Sequence, residues 1–207
     1  PKCQDRLIEE VLKVQPNVVV VLHNGSPVEL PWADRVSAIL EMYLGGQGVG
    51  EACDRLLFGE ANPSGRLAET FPYRLEDNPS FLHFPGNGKR VLYGEDIFVG
   101  YRYYDTKKVP VRYAFGHGLS YTEFTYGDLT LSSAQMTDED ILTVSLKVKN
   151  SGKTEGKEVV QLYVADLCGI SERPVKELKG FAKVHLLPGE EKTVSMEISA
   201  RNLSYYE

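Results

Sequence analysis

The hydrophobic period of this 207-residue chain changes near Phe124. Before that point, Val18 to Leu22 form a continuous apolar run, which is typical of a strand buried on both faces of a parallel sheet. After it, apolar and polar residues alternate from Leu142 to Lys149, which predicts an antiparallel strand with one exposed face. The change of period therefore predicts an α/β part followed by an all-β part.

The first half alternates further signals of helices and strands. Apolar residues between Leu7 and Leu12 mark one face of a helix that ends before Pro16. Four more elements are predicted: a strand at Ala38–Leu44, a helix at Ala52–Phe58, a turn at Asn62–Gly65 and a short strand at Leu67–Phe71. This order indicates the closing part of a layered α/β sheet.

The alternation of apolar and polar residues recurs twice in the second half. Val160–Val164 follow a predicted turn at Asn150–Gly152, and Val194–Ile198 follow Pro188-Gly189. Together these strands predict a β-sandwich of the immunoglobulin-like class. Because the number of clear strands is low for such a fold, we expect the domain to continue past Glu207.

Composition excludes several classes of partner. The net charge is -6, the pI is near 5.4 and basic residues are scattered, which excludes a nucleic-acid partner. No stretch has the apolar length of a membrane helix, so no membrane partner is expected. Cys3, Cys53 and Cys168 have no metal-binding spacing, which favours unpaired thiols in a reducing compartment, the cytoplasm. Because we expect a truncated amino terminus, secretion stays an open alternative.

Several phrases of the chain resemble the β-glucosidase type of glycoside hydrolase family 3. They are Asn62–Leu67 (NPSGRL), Phe115–Tyr121 (FGHGLSY), Val175–Phe181 (VKELKGF) and Leu187–Glu190 (LPGE), together with the aromatic and glycine-rich run Tyr93–Phe124. The resemblance covers nearly the whole chain. It implies residues 1–78 as the end of an α/β sandwich domain, 79–123 as a linking tail, and 124–207 as a truncated fibronectin type III-like domain.

The same resemblance implies a function for the complete polypeptide. Such an enzyme releases terminal β-linked glucose from a β-glucoside or oligosaccharide through a covalent glycosyl intermediate, without a metal or organic cofactor. Its aspartate nucleophile lies on an N-terminal barrel domain, and its acid/base glutamate would precede Pro1. We therefore expect no catalytic residue in this chain, which alone should be inactive, and a barrel domain of the same enzyme as its partner. Whether the protein forms a homo-oligomer stays an open question.

Four residues are candidate substrate contacts. Glu95 and Asp96 are adjacent carboxylates among tyrosines, and in an extended segment only one of them would face a substrate. His23 follows the predicted buried strand, at the edge where α/β sheets place ligands, although a structural hydrogen-bonded histidine is the alternative. Trp32 lies in a loop, where it either stacks on a sugar or covers the core, and packing is favoured.

Other patterns predict no cofactor. Gly45–Gly50 follows a strand and precedes a helix, but its spacing is not G-x-G-x-x-G and no Gly-Lys-Ser/Thr follows, which argues against phosphate binding. His83, His117 and His185 are isolated from one another, so a zinc site is not expected.

Two alternative functions remain open at this stage. The chain could be a non-catalytic carbohydrate-binding or interaction module, in which the aromatic residues of Tyr93–Tyr104 hold a glycan. Alternatively, the parent enzyme belongs to the same family but acts on another sugar, as a β-xylosidase, α-arabinofuranosidase or N-acetylglucosaminidase.

Overall fold

The computed structural model describes residues 2–169 and 172–205. Pro1 and Glu207, where the sequence predicts truncated ends, lie outside these ranges. Contacts divide the chain into two units, which are described separately: the first comprises Pro1–Leu57 and Ala68–Phe115, and the second comprises Phe58–Leu67 and Gly116–Glu207. These bounds come from contacts alone, and the sequence-based domain boundaries stay a prediction.

The first unit begins with a helix and a pair of parallel strands. In chain order it contains α1 (Lys2–Leu12), β1 (Val19–Leu22), a short 3-10 helix (Ala33–Arg35), β2 (Ala38–Glu41) and α2 (Val49–Leu57). The strands β1 and β2 pair in parallel, with Val19 opposite Ala38 and Leu22 opposite Glu41. This arrangement confirms the α/β class that the first half of the sequence predicts.

Two details of these strands differ from the prediction. The expected burial of β1 on both faces is wrong within the described part of the chain, since Val19 is 49% exposed and no β1 residue is fully buried. The described sheet has only two strands, so each of them has a single neighbouring strand. The second strand ends at Glu41 rather than Leu44, because Tyr43 adopts a left-handed backbone conformation with φ 46°.

The rest of the first unit contains two short strands and a helix. They are β3 (Phe71–Pro72), α3 (Tyr101–Lys107) and β4 (Val111–Tyr113). β3 pairs antiparallel with β4, so the short strand lies at the end of the predicted range Leu67–Phe71. The sequence did not indicate α3, which begins after Gly100 at φ 54° and stacks the ring of Tyr101 on Phe115 at 4.9 Å.

The second unit is a β-sandwich, as the alternating pattern predicts. Its elements are β5 (Phe124–Leu131), β6 (Ile141–Asn150), β7 (Gly156–Val164), β8 (Glu177–Leu186), β9 (Glu191–Ser199) and α4 (Ala200–Leu203). One antiparallel sheet has the order β5-β6-β9 and the other pairs β7 with β8. Both sheets contribute to one core: Val148, Val160, Leu186, Val194 and Met196.

Asn150 fixes the turn that follows β6. Its side chain is fully buried, and its Oδ1 accepts hydrogen bonds from Thr122 Oγ1 at 2.7 Å and from the Gly152 N–H at 3.0 Å. Its Nδ2 donates to the carbonyls of Thr154 at 2.8 Å and Leu186 at 3.1 Å. A buried amide with its bonds satisfied in this way specifies a local structure strongly.

The helices are short. In the described ranges, none combines the length and apolarity that a membrane span requires. Cys3 and Cys168 are exposed and Cys53 is half-buried, and all three are free thiols.

Candidate polar site at the end of the parallel strands

The carboxyl ends of β1 and β2 bring polar side chains of the first unit together. His23 and Asn24 directly follow β1, while Glu41 ends β2 and Tyr43 lies two residues beyond it. The parallel register, which sets Leu22 opposite Glu41, carries both strand ends to one edge. Open α/β sheets bind ligands at this edge.

Glu41 is a half-buried carboxylate that interacts with Asn24 and with the backbone of Tyr43. Its Oε1 accepts the backbone N–H of Tyr43 at 2.7 Å. Its Oε2 exposes less than 1 Å², and the Asn24 side chain lies close enough to hydrogen-bond the carboxylate. Burial raises the pKa of Glu41 above 4.5, and it outweighs the lowering effects of the Tyr43 N–H, of Asn24 and of His23.

Tyr43 combines an unusual backbone conformation with an enclosed hydroxyl. A φ of 46° is uncommon for a non-glycine residue, and such conformations concentrate at functional sites. The hydroxyl oxygen exposes less than 1 Å², and the Ala68 backbone lies close enough to hydrogen-bond it and to lower its pKa slightly. Burial, followed by the charges of Glu69 and Glu41, raises the pKa of Tyr43 above 10.

A second carboxylate and an amide complete the group. Burial and then the negative charge of Glu41 raise the pKa of Glu69, which shows that the two carboxylates interact. Asn24 Nδ2 donates to the carbonyl of Ser26 at 2.8 Å, but Asn24 Oδ1 exposes less than 1 Å² and lacks a partner within residues 2–169 and 172–205. The group thus encloses polar oxygens of Asn24, Glu41 and Tyr43, with Asn24 beside the Glu41 carboxylate and the Ala68 backbone beside the Tyr43 hydroxyl.

The structure brings one predicted site residue, His23, to this group. His23 is exposed, and it lies close enough to Glu41 to lower the pKa of that carboxyl. Sequence reasoning missed Glu41, Tyr43 and Glu69. One available signal was the carboxylate that ends β2, since the ends of neighbouring parallel strands share an edge.

Glu95 and Asp96 lie elsewhere and in a different conformation from the one expected. Residues 94–97 form a turn rather than an extended segment, with the Phe98 N–H donating to the Glu95 carbonyl at 2.9 Å. Asp96 is exposed at φ 50°, whereas Glu95 Oε2 is enclosed and unpaired among the described residues. A sugar contact through either carboxylate stays a prediction.

Trp32 is a packed residue in this structure. Its side chain is 2% exposed, and its Nε1 donates to Asp5 Oδ1 at 2.9 Å. This arrangement suits an indole that covers a core edge. Contact between Trp32 and a sugar stays a prediction. The described residues contain no group of three or more His, Cys, Asp or Glu that could hold a metal ion.

In the second unit, two of the sequence phrases described above contact each other. The Leu67 N–H donates to the His117 carbonyl at 2.8 Å, and the Gly116 N–H donates to the Leu67 carbonyl at 2.7 Å. Asn62 Oδ1 accepts hydrogen bonds from Ser120 Oγ at 2.8 Å and from the Tyr121 N–H at 2.9 Å. Residues 62–65, predicted as a turn, have no regular secondary structure, and the Asn62 side chain bonds to the 115–121 segment.

Comparison with known proteins gives matches along the whole chain. The family model described as the glycosyl hydrolase family 3 C-terminal domain matches residues 1–121, and that of the fibronectin type III-like domain matches residues 158–207. The thermostable β-glucosidase B of Acetivibrio thermocellus is 58% identical over 206 residues, which are 100% of this chain and 27% of that protein. A β-glucosidase of Kluyveromyces marxianus is 47% identical over 208 residues, with 100% of this chain and 24% of that protein covered.

Solved structures agree with these matches. The Kluyveromyces marxianus β-glucosidase superposes with a TM-score of 0.90 at 46% identity, covering 98% of this chain and 25% of that one. A family 3 β-glucosidase of Bifidobacterium adolescentis gives a TM-score of 0.94 at 40% identity. The superposition covers 100% of this chain and 30% of that one. The chain thus spans about a quarter of the length of the curated relatives it matches.

Proposed function

Because this chain belongs to glycosyl hydrolase family 3, we propose that it is the C-terminal portion of a retaining β-glucosidase that hydrolyses terminal, non-reducing β-D-glucosyl residues. The observation that carries the proposal is the similarity along the whole chain to proteins named β-glucosidases, at 58% identity in the Acetivibrio relative. The chain covers 27% of that relative, so the proposal concerns the complete polypeptide.

We place the catalytic carboxylates outside these residues. Retaining glycosidases need two carboxyl groups about 5 Å apart, one of which must be ionised to attack the anomeric carbon. Glu41 and Glu69 interact, but burial raises the pKa of both, which is unfavourable for a nucleophile. The reaction uses a carboxylate nucleophile and proton transfers, so the proposal includes no metal or organic cofactor.

The partner in this proposal is an N-terminal barrel domain of the same polypeptide. Large apolar side chains between Phe81 and Val99 are exposed in this chain, including Leu82 at 87%, Phe84 at 70% and Tyr93 at 81%. Several large exposed apolar side chains within one segment are typical of a surface that contacts another protein domain. We assign this segment to contact with the barrel domain, which would remove these side chains from water.

We also propose a reducing compartment, the cytoplasm, for the protein. Cys3 and Cys168 are exposed free thiols, and exposed thiols persist where disulfides are not formed. Fractionation of the source cells tests this, because recovery of the protein in the culture medium would contradict it.

The experiment that tests the function is hydrolysis of an aryl β-D-glucoside. The chain is assayed alone, and again after it is mixed with a separately made N-terminal portion of its parent polypeptide. We expect no turnover by the chain alone and turnover on mixing. No turnover from either the mixture or the complete polypeptide would contradict the proposal. Parallel assays with aryl β-xyloside and N-acetylglucosaminide distinguish the other sugars.

A further inference from the structure

Residues 86–90 form an exposed polar loop in which a glycine follows an asparagine. Asn87, Gly88 and Lys89 are exposed and lie outside the helices and strands. The Asn87 N–H donates to the Arg90 carbonyl at 3.2 Å, which closes the loop. Among the residues that the structure describes, neither the Asn87 side-chain amide nor the Gly88 N–H has a hydrogen-bond partner. Both groups are therefore open to water and to each other.

An asparagine side chain reacts with the backbone nitrogen of the next residue when the two atoms meet. The Gly88 nitrogen attacks Cγ of Asn87, and a bond forms between these atoms. The bond from Cγ to Nδ2 breaks, and Nδ2 takes up the proton of the Gly88 nitrogen and leaves as ammonia. Water then opens the cyclic imide. Opening at Cγ gives aspartate, and opening at the Asn87 backbone carbonyl carbon gives isoaspartate, whose main chain runs through the side chain. Water is the one co-reactant.

Gly88 presents its nitrogen with little obstruction. The residue has a φ of +84°, and a Cβ built on it meets no atom within 4 Å. A glycine in open space changes its backbone dihedral angles at little cost, because no side chain collides with the neighbouring peptide groups. The Gly88 nitrogen is thus free to rotate toward Cγ of Asn87.

The chain contains a second Asn-Gly pair, at Asn24 and Gly25, whose asparagine is restrained. Asn24 Nδ2 donates to the Ser26 carbonyl at 2.8 Å, and the side chain also hydrogen-bonds the Glu41 carboxylate. Asn24 Oδ1 exposes less than 1 Å². The Asn24 amide must break these bonds before its Cγ reaches the Gly25 nitrogen, so the same dipeptide is placed in two different environments.

We propose that Asn87 is a site of spontaneous deamidation in the folded protein and that the fold protects Asn24 from the same reaction. The inference is independent of the proposed enzymatic function. Conversion of Asn87 replaces a neutral amide with a carboxylate beside Lys89 and Arg90, and the isoaspartyl product lengthens the main chain. The modification thus alters the Phe81–Val99 segment, which is assigned to contact with the barrel domain.

The test compares the complete polypeptide in its folded state with the same polypeptide in denaturant, both incubated at mildly alkaline pH. Peptide mapping by mass spectrometry follows each site, because a carboxylate is heavier than an amide, and chromatography separates isoaspartate from aspartate. In denaturant, Asn24 and Asn87 should convert at similar rates. Folding should slow Asn87 by less than about tenfold and Asn24 by more than about tenfold, the rate equivalent of breaking one hydrogen bond.

The variant Asn87→Gln is the control, since the longer side chain has to close a larger ring. Its peptide should show no conversion, while Asn24 keeps the protection that it has in the wild type. Conversion persisting in the variant peptide would assign the reaction to another residue and overturn the proposal. Folding that slows Asn87 as strongly as Asn24, or that leaves Asn24 as reactive as in denaturant, would also overturn it.

Discussion

Arg66 and Glu158 form a nearly buried ion pair across 92 positions of sequence within the second unit, with Arg66 Nη2 2.9 Å from Oε1 and 2.8 Å from Oε2 of Glu158. The side chains are only 11% and 9% exposed. Arg66 belongs to the NPSGRL phrase, and Glu158 lies on β7. The pair therefore fastens a segment far from the sandwich in sequence onto one of its strands.

Replacing one partner of this pair should destabilise the second unit strongly. Arg66→Met leaves the Glu158 carboxylate buried without its cation, which costs about 3–5 kcal/mol of unfolding free energy. Denaturant unfolding of the variant and of the wild type measures this loss of unfolding free energy. Lys13→Met, which removes the exposed pair between Lys13 and Glu10, is the control and should cost less than about 1 kcal/mol. Equal effects at the two sites would contradict the assigned burial.

Gly118 should not tolerate a side chain. A Cβ at Gly118 would lie 2.6 Å from the Gly65 carbonyl oxygen, a backbone atom that cannot turn away as a side chain can. Gly118→Ala should cost about 1–3 kcal/mol of stability. Gly127→Ala, where a Cβ meets nothing within 4 Å, is the matched control and should cost less. Thermal unfolding compares the two, and a Gly118→Ala protein as stable as the control would disprove the contact.

The stability contributed by Glu41 should depend on pH in a definite direction. Because its pKa is raised above 4.5 in the folded state, the folded protein binds the proton more tightly than the unfolded chain. That contribution is fully present below pH 4.5 and is lost as pH rises through the folded pKa. The melting temperature of the Glu41→Gln variant minus that of the wild type should therefore increase from pH 4 to pH 8.

Glu190 provides a control of opposite sign for this titration. The Leu187 N–H, which donates to Glu190 Oε2 at 2.7 Å, and Lys192 lower the pKa of Glu190 below 4.5. Its contribution is present above pH 4.5 and is lost as pH falls. The melting temperature of the Glu190→Gln variant minus that of the wild type should therefore decrease as pH rises. Parallel pH profiles for the two variants would contradict the assignment.

Glu95 and Asp96 should not behave as catalytic carboxylates. In the complete polypeptide, Glu95→Ala and Asp96→Ala should each lower kcat/KM by no more than about tenfold, whereas removal of a catalytic group costs roughly 10⁴-fold or more. Steady-state kinetics on an aryl β-glucoside measures both effects. A loss of kcat/KM as severe as that caused by removing a nucleophile would place the catalytic pair within this chain.

Periodicity in the sequence predicted those strands whose faces differ clearly in polarity. β6, β7 and β9 were found because their apolar residues alternate and point into the sandwich. β8 was missed because Gly180 occupies an inward position beside Met196 while Phe181 is 70% exposed, so its pattern is partly inverted. β5 was missed because its register shifts between Gly127 and Thr130, which interrupts the alternation.

The polar site was less accessible to sequence reasoning than the fold. His23 was found from its place after a strand. Glu41 and Tyr43 do not belong to a periodic pattern, and nothing in the sequence predicts that Tyr43 adopts a left-handed backbone conformation. Glu69 approaches Glu41 through the tertiary fold alone. A cluster of buried polar groups depends on three-dimensional enclosure, which a linear pattern does not encode.

The most direct test of the account is covalent trapping of the nucleophile in the complete polypeptide. A 2-deoxy-2-fluoro-β-D-glucoside with a good leaving group accumulates the glycosyl intermediate of a retaining enzyme. Peptide mapping by mass spectrometry then locates the adduct. We predict a single glycosylated carboxylate outside these 207 residues. An adduct on Glu41, Glu69, Glu95 or Asp96 would contradict the assignment of this chain to the non-catalytic portion of the enzyme.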